Sequence, residues 1–444
     1  MGNTREKVIV GLDVGTAKCC AVVGQVNKDN QINIIGVGVS PSKGLMKGVV
    51  TNIEQTAQSI ASAVEKAERQ ANLKVGSAYV GVAGSHISSI NSRGVVAVNN
   101  VDRDISHEDV SRAVDSARAV AIPAQREVLH VIPRTFVIDG QDGVRDPVGM
   151  SGYRLEVETH IVTGAVSSLN NLFKAVQRIG LEVDELVLEQ LASSEAVLSE
   201  AEKRLGVMLV DIGSGTTSIA IFIDGTIWHT SVLPIGGDHF TNDIAIVLRT
   251  PVDTAERLKI KYGDASVIGA MKGYYGDYYG EKTSRGRSKA EEKSEEAPDE
   301  LLEVESFEIG SKQKISRKLL NEIIYARCRQ MFEMVQGEIK KSGYDGMIPA
   351  GMVLTGGTAG LQGVTDAAAH TLRMPVRIGV PRGLSGLSDT LGAPAYSSPV
   401  GLVLWGLKKS SGEEFLEVRR SGGATPKGGA IGKAFRGWLR EFLP

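Results

Sequence analysis

Two stretches of this chain combine residue types that can hold a phosphate chain. Asp13-Val14-Gly15-Thr16 is followed 198 residues later by Asp211-Ile212-Gly213-Ser214, and each copy interrupts an apolar run that soon resumes. The pattern predicts a β-hairpin that lifts an acid onto its tip. Glycines tolerate positive φ and let backbone N–H groups converge on an anion, while an aspartate can hold Mg²⁺ through water. Lys18 follows the first turn and can neutralise phosphate oxygens as a point charge. Thr216 and Thr217 follow Gly215 in the second copy and can donate hydrogen bonds from the opposite side. Either copy alone reads as an ordinary Asp-x-Gly turn, and Lys18 alone as a solvated strand-edge charge. The pairing argues instead for two hairpins gripping one nucleotide. A third stretch, from Gly351 to Gly360, runs an apolar strand straight into Gly356-Gly357-Thr358 and a helix start, which lets a backbone lie flat against a base or ribose.

Strands and helices must position these motifs. The opening predicts a three-strand meander at 8–13, 19–26 and 32–39, a helix at about 53–71 and a strand at 77–81. From there to about residue 163, short alternating runs (94–98, 128–138, 156–162) surround one helical stretch at 108–120, the pattern of a small α+β insert. A helix at 167–179, a strand at 182–188 and a helix at 190–203 then deliver the chain to the second hairpin. A third strand (226–233) and a helix (237–248) follow it, so the order of elements repeats. Further helices are expected at 253–262 and 315–341.

At 444 residues the chain is too long for one core and suits two lobes, or three to four subdomains. Aromatics are 5% and glycines number 52, which favours an α/β protein rich in tight turns over an aromatic-cored sandwich. A net charge of −2 supplies no global field for nucleic acid. Cys19, Cys20 and Cys328 show no metal-ligand spacing and read as reduced strand or core thiols of a cytosolic protein. No apolar stretch approaches the roughly 20 residues that span a bilayer, and nothing marks the chain for export.

Residues 279–300 carry five Lys/Arg and seven Asp/Glu and read as a solvated loop, preceded by the clustered Tyr274, Tyr275, Tyr278 and Tyr279. The C-terminus is more legible. Ile431, Phe435, Trp438, Leu439 and Phe442 fall on one helical face, with Lys433, Arg436 and Arg440 off it, behind a Gly-rich tether. Such a helix lies in the interface of an anionic membrane. Docking on its own domain is the alternative.

The three motifs, in this order and spacing, resemble the actin, Hsp70 and sugar kinase superfamily, and within it the FtsA family of bacterial cell-division proteins. The insert at about 82–163, the stretch Leu188-Glu189-Gln190-Leu191-Ala192-Ser193-Ser194 and the C-terminus carry the second resemblance. It covers residues of about 8–408 and 431–444, excluding the loop near 273–305. It implies an actin-like two-lobe α/β ATPase fold with duplicated hairpin/helix lobes, divided as subdomain 1A (1–81 and 164–204), an SHS2-type subdomain 1C (82–163), 2A (205–243 and 316–383) and 2B (244–315). A return to 1A (384–408), a linker (409–430) and an amphipathic membrane-targeting helix (431–444) would follow. By the same resemblance ATP and Mg²⁺ are held by Asp13, Gly15, Thr16 and Lys18, by Asp211, Gly213, Gly215, Thr216 and Thr217, and by Gly356, Gly357 and Thr358. Asp13 and Asp211 take the metal through water. Glu256 and Lys259, three apart and so on one helix face, fall on the ribose and base position, though a surface ion pair reads the same.

Glu189 falls where Hsp70-like relatives orient attacking water, which leaves weak ATPase activity open. A carboxylate opening a helix also serves as a dipole partner. Ser214 stands where glycine is commoner, and Gln190 where many relatives carry proline. The function implied is a peripheral protein of the cytoplasmic membrane face at the division septum. It polymerises there, tethers the FtsZ ring by binding the FtsZ C-terminal peptide on 2B, and recruits later division proteins through 1C. A small-molecule kinase with the same clamp and an actin-like pilus-assembly protein are the alternatives; a chaperone would need a peptide-binding domain where this chain ends in a membrane helix.

Overall fold

A computed structural model describes residues 7–27, 29–99, 102–266, 300–305 and 312–410. The amphipathic helix expected at 431–444, the tether before it, the tyrosine cluster and the charged segment up to residue 299 lie outside them.

The chain opens with β1 (Val8–Val14), β2 (Lys18–Val26), β3 (Ile32–Pro41), a small hairpin of β4 (Leu45–Met46) and β5 (Val49–Val50), α1 (Ile53–Ala71) and β6 (Ser77–Val82). The insert follows as β7 (Ser88–Ala97), α2 (His107–Arg118), β8 (Arg126–Ile138), β9 (Gln141–Val144) and β10 (Arg154–Ala165). Then α3 (Val166–Gln177), β11 (Glu182–Leu188), α4 (Glu189–Val197) and α5 (Glu200–Leu205) lead to β12 (Val207–Ile212), β13 (Thr217–Ile223), β14 (Thr226–Leu233), α6 (Gly237–Leu248) and α7 (Val252–Tyr262). After the hairpin of β15 (Leu301–Glu305) and β16 (Lys312–Ser316) come α8 (Arg317–Ser342), β17 (Met352–Thr355), α9 (Val364–Leu372), β18 (Val376–Ile378), β19 (Ser385–Gly386) and α10 (Ser397–Ser410).

Two sheets repeat one plan. The first runs β11-β6-β1-β2-β3-β19 and the second β14-β13-β12-β17-β18, so each pairs an antiparallel meander with two parallel strands beside its first member. The registers coincide as well: Asp13 lies opposite Cys20 and Asp211 opposite Ser218, both pairs displaced by the 198 residues that separate the motifs. Because β12 is covered on both faces, it is apolar almost throughout. Val207 and Leu209 join the first lobe's core, while Met208, Val210 and Ile212 build the second's. The insert has its own core around Leu155, Val157, Ile161 and Phe136.

Two helices expected from periodicity are cut differently by their caps. The helix expected at 190–203 is two, because Leu198 is extended (φ −97°, ψ 143°) and Ser199 with Glu202 forms a capping box that starts α5. The helix expected from 315 begins at Arg317, since Ile315 pairs in β16 and the Ser316 hydroxyl accepts from the Leu319 N–H as N-cap.

Candidate functional site

Both hairpin turns are closed by the same bond. The Gly15 N–H donates to the Lys18 carbonyl at 3.0 Å, and the Gly213 N–H to the Thr216 carbonyl at 2.9 Å. In between, the N–H groups of Thr16 and Ala17, and of Ser214 and Gly215, reach no acceptor among the described residues. Four donors on two facing turns are thus left for an anion.

Beside the turns, buried Asp13 and Asp211 and half-buried Glu189 form one carboxylate group. Burial pushes Asp13 up to about 6, against the pull of Lys18 and a hydrogen bond with Glu189. Burial raises Asp211 to about 7, aided by negative Asp13 and opposed by the Ser398 hydroxyl and Lys18. Glu189 is raised well above its ordinary range by burial, then by Asp13 and Asp211. The cation facing them, Lys18, donates to the Ala395 carbonyl at 2.9 Å and sits 3.8 Å over the Tyr396 ring. Among the described residues no three His, Cys, Asp or Glu side chains are arranged to ligate a metal directly. Carboxylates whose ionisation is opposed by burial and by one another nonetheless suit a hydrated divalent ion, which would favour their charged forms.

The second lobe closes round its own turn. The Thr358 hydroxyl donates to the Gly213 carbonyl at 3.2 Å, and the Gly237 N–H at the start of α6 to the same oxygen at 2.9 Å. Lys259 bonds Glu256 at 2.7 Å, the Gly237 carbonyl at 3.1 Å and the Thr241 hydroxyl at 2.9 Å, so it braces α6 instead of waving in solvent. Gly356 has φ +87°, and a Cβ there would lie 2.3 Å from Asp211 Oδ1, so only glycine lets this turn approach the carboxylate. Gly357 opens the short helical turn beyond it. Ser214 spans from the turn to Asp238 at 2.5 Å.

Thr217 departs from its expected role. Strand alternation sends its side chain away from Thr216 and into the core, where the hydroxyl donates to the Ile235 carbonyl at 2.8 Å. Gln190 is fully buried in α4. Sequence reasoning missed Ser398, at the start of α10, whose hydroxyl donates to Asp211 Oδ2 at 3.2 Å from 187 positions away; no spacing signal could have linked them.

Two lobes of one strand order, with a carboxylate group between two facing turns, define an actin-like protein. The fold is similar to a PilM-PilN type IV pilus biogenesis complex (TM-score 0.62, 15% identity, 90% of this chain and 98% of that one) and to MreB5 of Spiroplasma citri bound to ADP (TM-score 0.52, 14% identity, 91% and 99%). Sequence comparison narrows the class. The family described as "Cell division protein FtsA" matches residues 208–401, and the "SHS2 domain inserted in FTSA" matches 84–163. The cell division protein FtsA of Pseudomonas aeruginosa is 47% identical over 94% of this chain and 93% of its own length. Those of Escherichia coli strain K12 (36%, 99% of each chain) and Bacillus subtilis (38%, 90% of this chain and 83% of that one) agree. The chain belongs to the FtsA family of actin-like cell-division proteins.

Proposed function

We propose that this protein binds ATP with Mg²⁺ between its two hairpins, polymerises, and tethers the FtsZ ring to the cytoplasmic membrane face at the division septum. The observation that carries the nucleotide reading is the meeting of four N–H donors that reach no acceptor among the described residues with three clustered carboxylates across the lobes. Asp13 and Asp211 would hold the hydrated ion, which neutralises phosphate charge. Lys18 and the two turns would hold the phosphates, Gly356 to Thr358 the adenosine, and Glu256 with Lys259 the ribose edge. Glu189, hydrogen-bonded to Asp13 and disposed to keep its proton, is the candidate for orienting water in a slow hydrolysis.

The subdomain division 1A, 1C, 2A and 2B belongs to this proposal, as does the FtsZ peptide on 2B. On that side α6 and α7 leave Ile246 and Ile260 each 74% exposed, with Val247 and Val252 near half, an apolar surface suited to a peptide. Later division proteins would use 1C. No described helix is long and apolar enough to cross a membrane, so attachment falls to the amphipathic residues 431–442. One such helix binds weakly, and several on a filament bind tightly through effective concentration. Co-sedimentation of the full chain with FtsZ, ATP and anionic liposomes tests the whole reading. A chain truncated before Ile431 should bring no FtsZ to the liposomes; if it still does, the tether reading is wrong.

A further inference from the structure

The hairpin of β4 and β5 has a loop of two residues, Lys47 and Gly48, with φ of +50° and +75°. Positive φ at both positions is a type I′ turn, for which Asn-Gly, Asp-Gly and Gly-Gly are favoured. A lysine there is unfavourable for the backbone, so turn geometry does not explain its presence.

The tip is firmly held, and its place is informative. The Gly48 N–H donates to Thr16 Oγ1 at 3.1 Å, which ties the tip to the first phosphate turn. A Cβ on Gly48 would lie 2.6 Å from the Ala83 carbonyl oxygen, so the hairpin is wedged against the end of β6. From the other lobe, a Cβ built on Gly215 would come within 3.1 Å of Lys47 Cα and 3.2 Å of Thr16 Oγ1. Lys47 therefore sits at the seam where the first turn meets the second. It is exposed and, among the described residues, makes no hydrogen bond or ion pair. Lys18, by contrast, is already engaged by the Ala395 carbonyl and the Tyr396 ring.

Resting on the nucleotide reading above, we infer that Lys47 is a second phosphate-binding cation, which contacts the terminal phosphates of a nucleoside triphosphate held between the two turns. A triphosphate brings several negative charges to the seam; a hydrated ion on Asp13 and Asp211 would offset part of them, and Lys18 is already engaged, so a further unpaired cation at the seam is electrostatically favoured. The lysine stem is long and flexible and its head is a compact charge, and its backbone lies at the seam, within reach of both turns. Residues 16 and 215, one from each lobe, abut the same tip, so this cation would be met by both lobes around the same phosphates.

The test compares the full chain with its Lys47→Asn and Lys47→Arg variants, by competition binding of ATP, ADP and AMP and by thermal melting. Asn suits the type I′ turn and removes the charge together with the aliphatic stem of an exposed, unpaired side chain, so Lys47→Asn should melt at or above the parent temperature. It should bind ATP on the order of tenfold more weakly, ADP less so, and AMP unchanged, while Lys47→Arg stays near the parent. If the parent binds ATP and Lys47→Asn binds it equally well, Lys47 has no such role and the nucleotide reading stands. A loss shared by ATP and AMP, with a lower melting temperature, would make the residue structural and overturn the inference. A parent that binds no nucleotide overturns both.

Discussion

The two hairpins share a backbone and differ in charge. Displaced by 198 residues they superpose in register down to the closing hydrogen bond, yet Lys18 of the first has Thr216 as its counterpart in the second. The strands beside them diverge too: by register Gly81-Val82 corresponds to Thr355-Gly356, but the first pair leads into the insert and the second into the tight turn against Asp211. The shared backbone makes the two sides of the clamp alike in geometry, while one side carries the cation and the other the close backbone approach. A ligand between them meets two unlike jaws.

The sharpest break of that comparison is Gly356→Ala against Gly81→Ala. At Gly356 the new Cβ meets a carboxylate oxygen and the Ile212 backbone with φ already positive, and a loss of about 3 kcal/mol is expected in chemical denaturation. At Gly81 the nearest atom is Glu189 Cγ at 3.2 Å, on a side chain that can give way, and the loss should stay near 1 kcal/mol. Equal losses would mean that the second jaw is no tighter than the first. Next comes Lys18→Ala against Thr216→Ala, read as ATP affinity. Losing the charged donor should cost roughly ten- to a hundredfold and losing the hydroxyl a few-fold; the reverse order would put the main phosphate contact on the second jaw.

A smaller effect concerns how the insert, carried by the first lobe, rests on the second. His160 of β10 is buried between Asn91, at 2.7 Å, and Thr230 of β14, at 3.0 Å. Burial, then His229 of β14 and Arg134 of β8, hold it down to about 3, while Glu338 of α8 pairs with Ser231 nearby. Its native pKa lies below the unfolded value near 6.5, so the contact is fully present above that pH and is lost as pH falls toward 3. By pH 5.5 the loss should be about 1 kcal/mol, and His160→Gln should flatten that slope in urea melts taken across the range. Another contact between the same parts, Arg145 with Asp224, has both side chains 60% exposed, and Arg145→Ala should cost no more than about 0.5 kcal/mol at any of these pH values.

Much of this architecture could be read from the chain, for local reasons. Apolar runs broken by Asp-x-Gly dictate hairpins whatever surrounds them, and their repetition made the two-lobe plan legible, as did the alternating runs of the insert. The helix breaks at Ser199 and Ser316 were also written locally, as caps, but the apolar period ran through them and masked the signal. The two-residue hairpin at Lys47-Gly48 is flanked by only two residues a side, too few to show a period.

The sequence by itself determined the hairpins, their spacing and the glycines that let turns approach, because each depends on neighbours a few residues away. Only the tertiary structure decided that Glu189 would lie against Asp13, that Ser398 would hold Asp211, that the Thr217 hydroxyl would meet the Ile235 carbonyl, and that Lys47 would stand at the seam. Apart from Thr217, whose inward face follows from strand alternation, those outcomes depend on how distant elements of the two lobes pack against one another, and burial and charge act between residues that the chain keeps well over a hundred positions apart.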